Sequence, residues 1–180
     1  MNKLEYAVKV QTIVKPVNKI GVISDTHIPA RAAYLPPAVF HEFRDADLIL
    51  HAGDLVEEKV MVELTALAPV EAIAGNMDPH QLQSSLGKVK LIKVGELQIG
   101  LLHGDLVGRR FTFGELDKLF APFMPQVVVF GHLHEPLNRI HKGRLYFNPG
   151  SATDPRHVKQ PSIGRLIING QSVKGEIIYI

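Results

Sequence analysis

Residues 20–27 read IGVISDTH. An unbroken apolar run that stops at an aspartate is the pattern of a strand buried on both faces and feeding a functional loop. Working outward, Pro36 and Pro37 open a helix that continues through Phe43, since proline is tolerated in a first turn. Residues 47–50 form the next strand. Residues 57–67 carry Val60, Leu64 and Leu67 at helical spacing, and Pro69 ends that pattern. Residues 70–74 are a third strand that runs into Gly75-Asn76.

Beyond this point the period changes. Residues 89–92 and 97–102 flank Gly95-Glu96 as a hairpin ending at His103-Gly104, residues 112–120 suit a helix, and 127–130 is a buried strand that delivers Gly131-His132-Leu133-His134. Two more hairpins, 137–140 with 144–147 and 163–168 with 173–179, turn at Lys142-Gly143 and Asn169-Gly170. Strand–helix units followed by hairpins predict an α/β protein in which two sheets pack together and helices cover them.

The chain has 180 residues, 46% hydrophobic and 21% charged, with a formal net charge of +2. That length favours one domain spanning 1–180, in which about 70% of the extended chain's surface is buried. Disordered, collagen-like and coiled-coil chains are excluded by composition. The absence of cysteine removes disulfides, thiolate nucleophiles, zinc fingers and iron–sulfur clusters together. Basic residues number 20 against 18 acidic ones and are spread along the chain, so no dedicated nucleic-acid face is expected. No apolar run approaches the roughly 20 residues of a membrane span. The first residues carry Lys3, Glu5 and Lys9 and lack a small-residue cleavage site, so the expected address is cytoplasmic.

Polar residues fall where such a fold places its sites. Asp25 with His27, Asp54, Asn76, His103, and His132 with His134 each follow an apolar strand, and strand ends of open α/β sheets converge on one rim. Gly53, Gly75, Gly104 and Gly131 adjoin four of these five clusters and permit sharp turns and close approach. Seven oxygen and nitrogen donors exceed the needs of one tetrahedral metal, which implies two ions. Carboxylate, carboxamide and imidazole together suit Mn²⁺, Fe²⁺, Co²⁺, Ni²⁺ or Zn²⁺, with Mn²⁺ placed first. A carboxylate has two oxygens and can bridge a pair of ions.

The ordered set Asp25-Thr26-His27, Gly53-Asp54, Gly75-Asn76-Met77-Asp78, His103-Gly104 and Gly131-His132-Leu133-His134 resembles the calcineurin-like metallophosphoesterases. The small size and Asn148-Pro149-Gly150-Ser151 followed by Pro155-Arg156 are similar to the compact bacterial and archaeal phosphodiesterase branch. The resemblance runs from about residue 20 to the C-terminus. It implies a four-layer α/β/β/α sandwich of two mixed sheets. It also implies one metal on Asp25, His27, Asp54 and His134, and another on Asp54, Asn76, His103 and His132, with Asp54 as the bridge. The nucleophile would be a hydroxide between the ions, acting on a small phosphodiester, and Asp54, Asn76 and His103 would carry the catalysis. Two divalent ions, less two ligand carboxylates and one hydroxide, leave about +1 to hold an anion. Imidazole must be neutral to bind metal, so activity should fall in mild acid.

One departure bears on substrate class. The protein Ser/Thr phosphatase branch has a histidine after the asparagine of the third block, proposed to protonate the leaving group; here it is Met77. A thioether cannot donate a proton, which favours diesters with good leaving groups over alkyl monoesters.

Other readings stand beside these. Asp78 orients a ligand or caps the turn before Pro79. Ser151 and Arg156 approach the substrate phosphate or stabilise their loop. His51 is a core histidine or one that supports the ligands, and His41, His80, His141 and His157 read as surface residues. Residues 1–19, with Lys3, Lys9, Lys15 and Lys19 among Leu4, Val8, Val10, Ile13 and Val14, fit an added strand or a flexible arm. Arg109-Arg110 beside Phe111 reads as solvated charge or a nucleotide contact. Exposed hairpin edges allow a homodimer. The rival functions are a non-catalytic scaffold resembling the small subunit of the retromer coat, in which a ligand should be missing, and a phosphomonoesterase or nuclease.

Overall fold

The computed structural model describes residues 7–107 and 112–180. In chain order the first elements are β1 (Lys9–Ile13), β2 (Lys19–Ile23), α1 (Pro37–Phe43), β3 (Leu48–His51), α2 (Lys59–Thr65), β4 (Val70–Ala72) and α3 (His80–Leu86). They are followed by β5 (Val89–Val94), β6 (Leu97–Leu102), α4 (Phe113–Leu119), β7 (Val127–Phe130), β8 (Leu137–His141), β9 (Arg144–Asn148), β10 (Ser162–Asn169) and β11 (Ser172–Tyr179). One sheet has the order β1-β5-β6-β7-β9-β8 and the other β11-β10-β2-β3-β4. Both are mixed: β2, β3 and β4 are parallel while β10 runs against β2, and β6, β7 and β9 are parallel while β5 runs against β6.

Alternate residues of each central strand enter different cores, as the period of two requires. Ile20 and Val22, Leu48 and Leu50, Val127 and Val129, and Leu145 and Phe147 meet in the layer between the sheets. Their neighbours Ile23 and Ile49 pack with Val39 and Phe43 of α1 and Val60 and Leu64 of α2. On the far sheet Val128, Phe130 and Tyr146 pack with Leu116 and Leu119 of α4. This burial on both faces is why the strands read as continuous apolar runs, and it yields the four layers α/β/β/α. Each fully buried branched or aromatic side chain contributes about 1.5–3 kcal/mol. Gly21 is required where α1 meets the sheet, because a Cβ there would stand 2.8 Å from the Phe43 ring.

One element, a helix after Pro79, departs from the sequence pattern, and the N-terminal segment supplies a strand. Helix α3 follows Pro79 over residues with few apolar positions; its buried anchor is Leu82, with Leu86 packed against the α1–α2 layer. Residues 9–13 form an edge strand parallel to β5. The remainder of the basic N-terminal reading at Lys3 and Leu4, and the reading of Arg109-Arg110 and Phe111, lie outside the described residues. Among the described residues no helix is long and apolar enough to cross a membrane.

Parallel register aligns Ile23 with His51 and His51 with Ala72, and Leu102 with Phe130. The C-terminal ends of β2, β3, β4, β6 and β7 therefore open on one rim.

Candidate metal centre

The loops at this rim are tied to one another by backbone hydrogen bonds. Asp25 N donates to Gly53 O at 3.0 Å, His27 N to Asp54 O at 3.0 Å and Gly131 N to His103 O at 3.0 Å. The backbone conformation that results is unusual. Asp25, His27, Asp54, His132 and His134 have φ of 52, 42, 58, 71 and 58°, all left-handed and none glycine. Such residues cost roughly 1–3 kcal/mol each and persist where the surroundings over-determine them, most often at functional sites. Two glycines make room. Gly53 has φ of +93°, and at Gly75 a Cβ would lie 2.0 Å from Asp54 Oδ1.

Each carboxylate has one oxygen fixed and one free. Asp25 Oδ2 accepts from Ser24 Oγ (2.6 Å) and His132 N (3.0 Å), while its Oδ1 is buried without a hydrogen-bond partner. Asp54 Oδ1 accepts from Met77 N at 2.7 Å, which leaves Oδ2 facing His27 Nε2 at 3.7 Å and His103 Nε2 at 3.1 Å. Asp25 Oδ1 lies 3.2 Å from His134 Nε2 and 3.8 Å from both His27 Nε2 and His103 Nε2. The imidazoles are oriented from behind: His103 Nδ1 is 2.8 Å from Ala52 O and His134 Nδ1 2.5 Å from Asp154 O. Those carbonyls take the Nδ1 protons and turn Nε2 toward the cluster.

Electrostatics follow from this packing. Burial alone would raise the Asp25 carboxyl, but His134, His103 and Ser24 outweigh it and hold its pKa below the ordinary value. Asp54 is likewise lowered, burial being overcome chiefly by His103. Burial opposes a charge on His103, yet Asp54 and Asp25 push its pKa up to about 9. Burial lowers His27 and His132 against the pull of the same carboxylates.

Among the described residues, two groups offer ligand atoms within 4.8 Å of one another: Asp25, His27 and His134, and Asp25, Asp54 and His103. Asp25, not Asp54 alone, is common to both, although Asp54 Oδ2 also faces His27 as well as His103. The difference has a physical reason: with Oδ1 of Asp54 spent on Met77 N, both carboxylates present a single oxygen. Of the other expected ligands, His132 is half-buried with its ring edge-on to His103, centroids 5.1 Å apart. Asn76 is exposed on the loop beside Gly75. The residues present fit divalent ions. Buried Asp25 Oδ1 and His103 Nε2 lack hydrogen-bond partners, and His27 Nε2 and His134 Nε2 face each other at 3.2 Å, an arrangement that a cation relieves.

Supporting residues surround this centre. Asp78 accepts from Asp54 N (3.0 Å), Gly75 N (2.7 Å) and Val56 N (2.6 Å), so it braces the two loops. Burial raises its pKa despite those donors. Buried His51 contacts Thr26 Oγ1 at 3.2 Å and accepts from Gly53 N at 3.2 Å, and burial drops its pKa to about 3. Ser151 is not placed to meet a substrate. It is fully buried, donating to Asp25 O at 2.7 Å and accepting from Asp154 N at 2.8 Å, because the turn at residues 148–154 clamps the Asp25 loop. Arg156 is half exposed, 3.7 Å from Asp154 Oδ2, and Arg31, which the sequence reading missed, reaches the same oxygen at 3.2 Å. Proximity of Arg31 to His27 in the chain was the available signal. His41, His80 and His157 are exposed, whereas His141 is half-buried with its ring 5.1 Å from that of Phe113.

Comparisons with known proteins identify the family and the fold. A family model described as a calcineurin-like phosphoesterase superfamily domain matches residues 19–171. A protein of Methanothermobacter thermautotrophicus named "Probable metallophosphoesterase" is 43% identical over 159 residues, covering 88% of this chain and 91% of the relative. Among solved structures, Vps29 of Entamoeba histolytica complexed with zinc superposes with a TM-score of 0.73 at 27% identity, over 89% of this chain and 98% of that one. A protein described as a novel archaeal phosphodiesterase shares the fold, with a TM-score of 0.61 at 22% identity over 89% and 99% of the two chains.

Proposed function

The chain belongs to the calcineurin-like phosphoesterase superfamily, and from that premise we propose that it is a phosphodiesterase whose centre binds two divalent ions, Mn²⁺ first among them. The observation that carries this reading is the convergence of the unpartnered Asp25 Oδ1 and His103 Nε2, 3.8 Å apart in a buried cleft. Asp25, His27 and His134 would hold one ion, Asp54, His103, His132 and Asn76 the other, with Asp25 and Asp54 between them. Ions held there would lower the pKa of water toward neutrality and draw charge from the phosphoryl oxygens. That a Vps29 neighbour of the same fold was solved in complex with zinc supports a metal-binding role for this chain.

The chain's own residues do the rest. Ala52 O and Asp154 O fix the tautomers of His103 and His134, so each keeps Nε2 for the cluster. Asp78 and Ser151 hold the loops that carry Asp54 and Asp25, which preorganises the centre before substrate arrives. Arg31 and Arg156 share one carboxylate, leaving one positive charge and exposed N–H groups for a phosphate oxygen. Met77, 58% exposed beside Asn76, cannot protonate a leaving group, so the preferred substrates are small diesters with stable leaving groups. Bis-p-nitrophenyl phosphate and an alkyl phosphomonoester, assayed with Mn²⁺, test this. The diester should turn over far faster, and Asp54→Asn should lose at least about 100-fold. Equal turnover of the two esters contradicts the diester preference, and failure of the wild type to bind a divalent ion contradicts the enzyme.

A further inference from the structure

Lys88 and Asp105 join the two loops that carry Asn76 and His103. Lys88 immediately precedes Val89, which pairs with Leu102, so it starts beside His103. Its ammonium donates to Gly75 O at 2.7 Å and to Asp105 Oδ2 at 3.2 Å. Both side chains are only 16% exposed, unlike a lysine and an aspartate solvated at the surface. The second oxygen of Asp105, Oδ1, is buried as well, so the pair meets inside the protein and not in solvent.

We propose that Lys88 and Asp105 are positioning residues for the Asn76–His103 half of the centre. Lys88 fixes the Gly75 carbonyl and with it the backbone that presents Asn76. Asp105 steadies the Lys88 ammonium against that carbonyl, so the loop that follows His103 and the loop that presents Asn76 are held together. The ammonium also balances Asp105, so the pair adds no net charge to the cleft. The opposite half is braced separately, by Ser24 on Asp25 and by the Asp154 carbonyl on His134. The inference rests on the two-ion reading, and its test separates the two.

Mn²⁺ is titrated into the wild type, Asp105→Ala, Lys88→Met and Lys88→Arg and followed by electron paramagnetic resonance, which distinguishes isolated from exchange-coupled ions, with melts of the metal-free proteins alongside. Expected is a second binding step weakened about 10- to 100-fold in Asp105→Ala and Lys88→Met. The first step should be unchanged, and Lys88→Arg should recover part of the second. Should Lys88→Met fail to fold, Asp105→Ala and Lys88→Arg still decide the matter. A second step of wild-type affinity in folded Asp105→Ala overturns the positioning role, even if its melting temperature drops. A wild type that takes up one ion refutes the two-ion reading before any variant is compared.

Discussion

Asp25 Oδ1 and His103 Nε2 are buried 3.8 Å apart, and neither has a hydrogen-bond partner. In the metal-free protein Asp54 and Asp25 keep His103 protonated, with a pKa pushed up to about 9. A cation must displace that proton. Mn²⁺ uptake is therefore predicted to release protons, and its apparent affinity should climb about tenfold per pH unit between pH 7 and 9. Calorimetry in buffers of different ionisation enthalpy would reveal the released proton, and a pH-independent affinity would count against it.

The same groups shape stability. The folded-state pKa of His103 lies above its unfolded value of 6.5, so its contribution is complete below pH 6.5 and is lost as pH rises through about 9. His51 has the opposite sign. Its folded pKa falls to about 3, so stability declines as pH drops from 6.5 toward 3 and the unfolded chain takes up the proton. The melting temperature of metal-free protein should thus fall on both sides of about pH 6.5. Saturating Mn²⁺ should flatten the alkaline limb.

His132 combines a ligand role with a φ of 71°. His132→Gly relieves the strain and His132→Ala does not, so the glycine variant should be more stable than the alanine variant by about 1 kcal/mol. Both should bind the second ion more weakly than wild type. Denaturant melts of the two variants provide the comparison, and equal stabilities would show that the left-handed backbone carries no cost there.

Gly75→Ala places a methyl group where Asp54 Oδ1 now sits, 2.0 Å from the built Cβ. Asp54 must move and lose Met77 N. Metal uptake and diester hydrolysis should both fall at least about tenfold, the scale seen when a group supporting a metal ligand is lost. Wild-type metal affinity in this variant would mean the loop yields without moving the carboxylate.

Asp78→Ala leaves the N–H groups of Asp54, Val56 and Gly75 without their acceptor. A stability loss of about 3 kcal/mol is expected from that group of donors. Chemical denaturation measures it directly. A loss below about 1 kcal/mol would assign Asp78 to the turn alone.

Much of this was legible in the sequence because double-sided burial writes itself as runs such as residues 20–23 and 127–130, and because ligand residues follow those runs. Helix α3 was not legible: Leu82 and Leu86 are too few apolar positions to set a period, and the helix is held by packing from elsewhere. Edge strand β1 is exposed along most of its length, so the sequence left that segment open between an added strand and a flexible arm. The positive φ of Asp25 or His134 leaves no trace in residue type, since glycine is the residue that signals it. Asp78 and Ser151 act on backbone N–H and C=O groups, which every sequence contains. That is why Ser151 could be read as a phosphate contact when it holds the Asp25 carbonyl, and why Asp78 could not be distinguished from a turn cap.

Anomalous diffraction from crystals grown with Mn²⁺ examines the paired centre most directly. Two peaks are predicted, one among Asp25, His27 and His134 and one beside Asp54 and His103, with carboxylate oxygens between them. A single peak, or none, in crystals whose protein is fully folded would contradict the account.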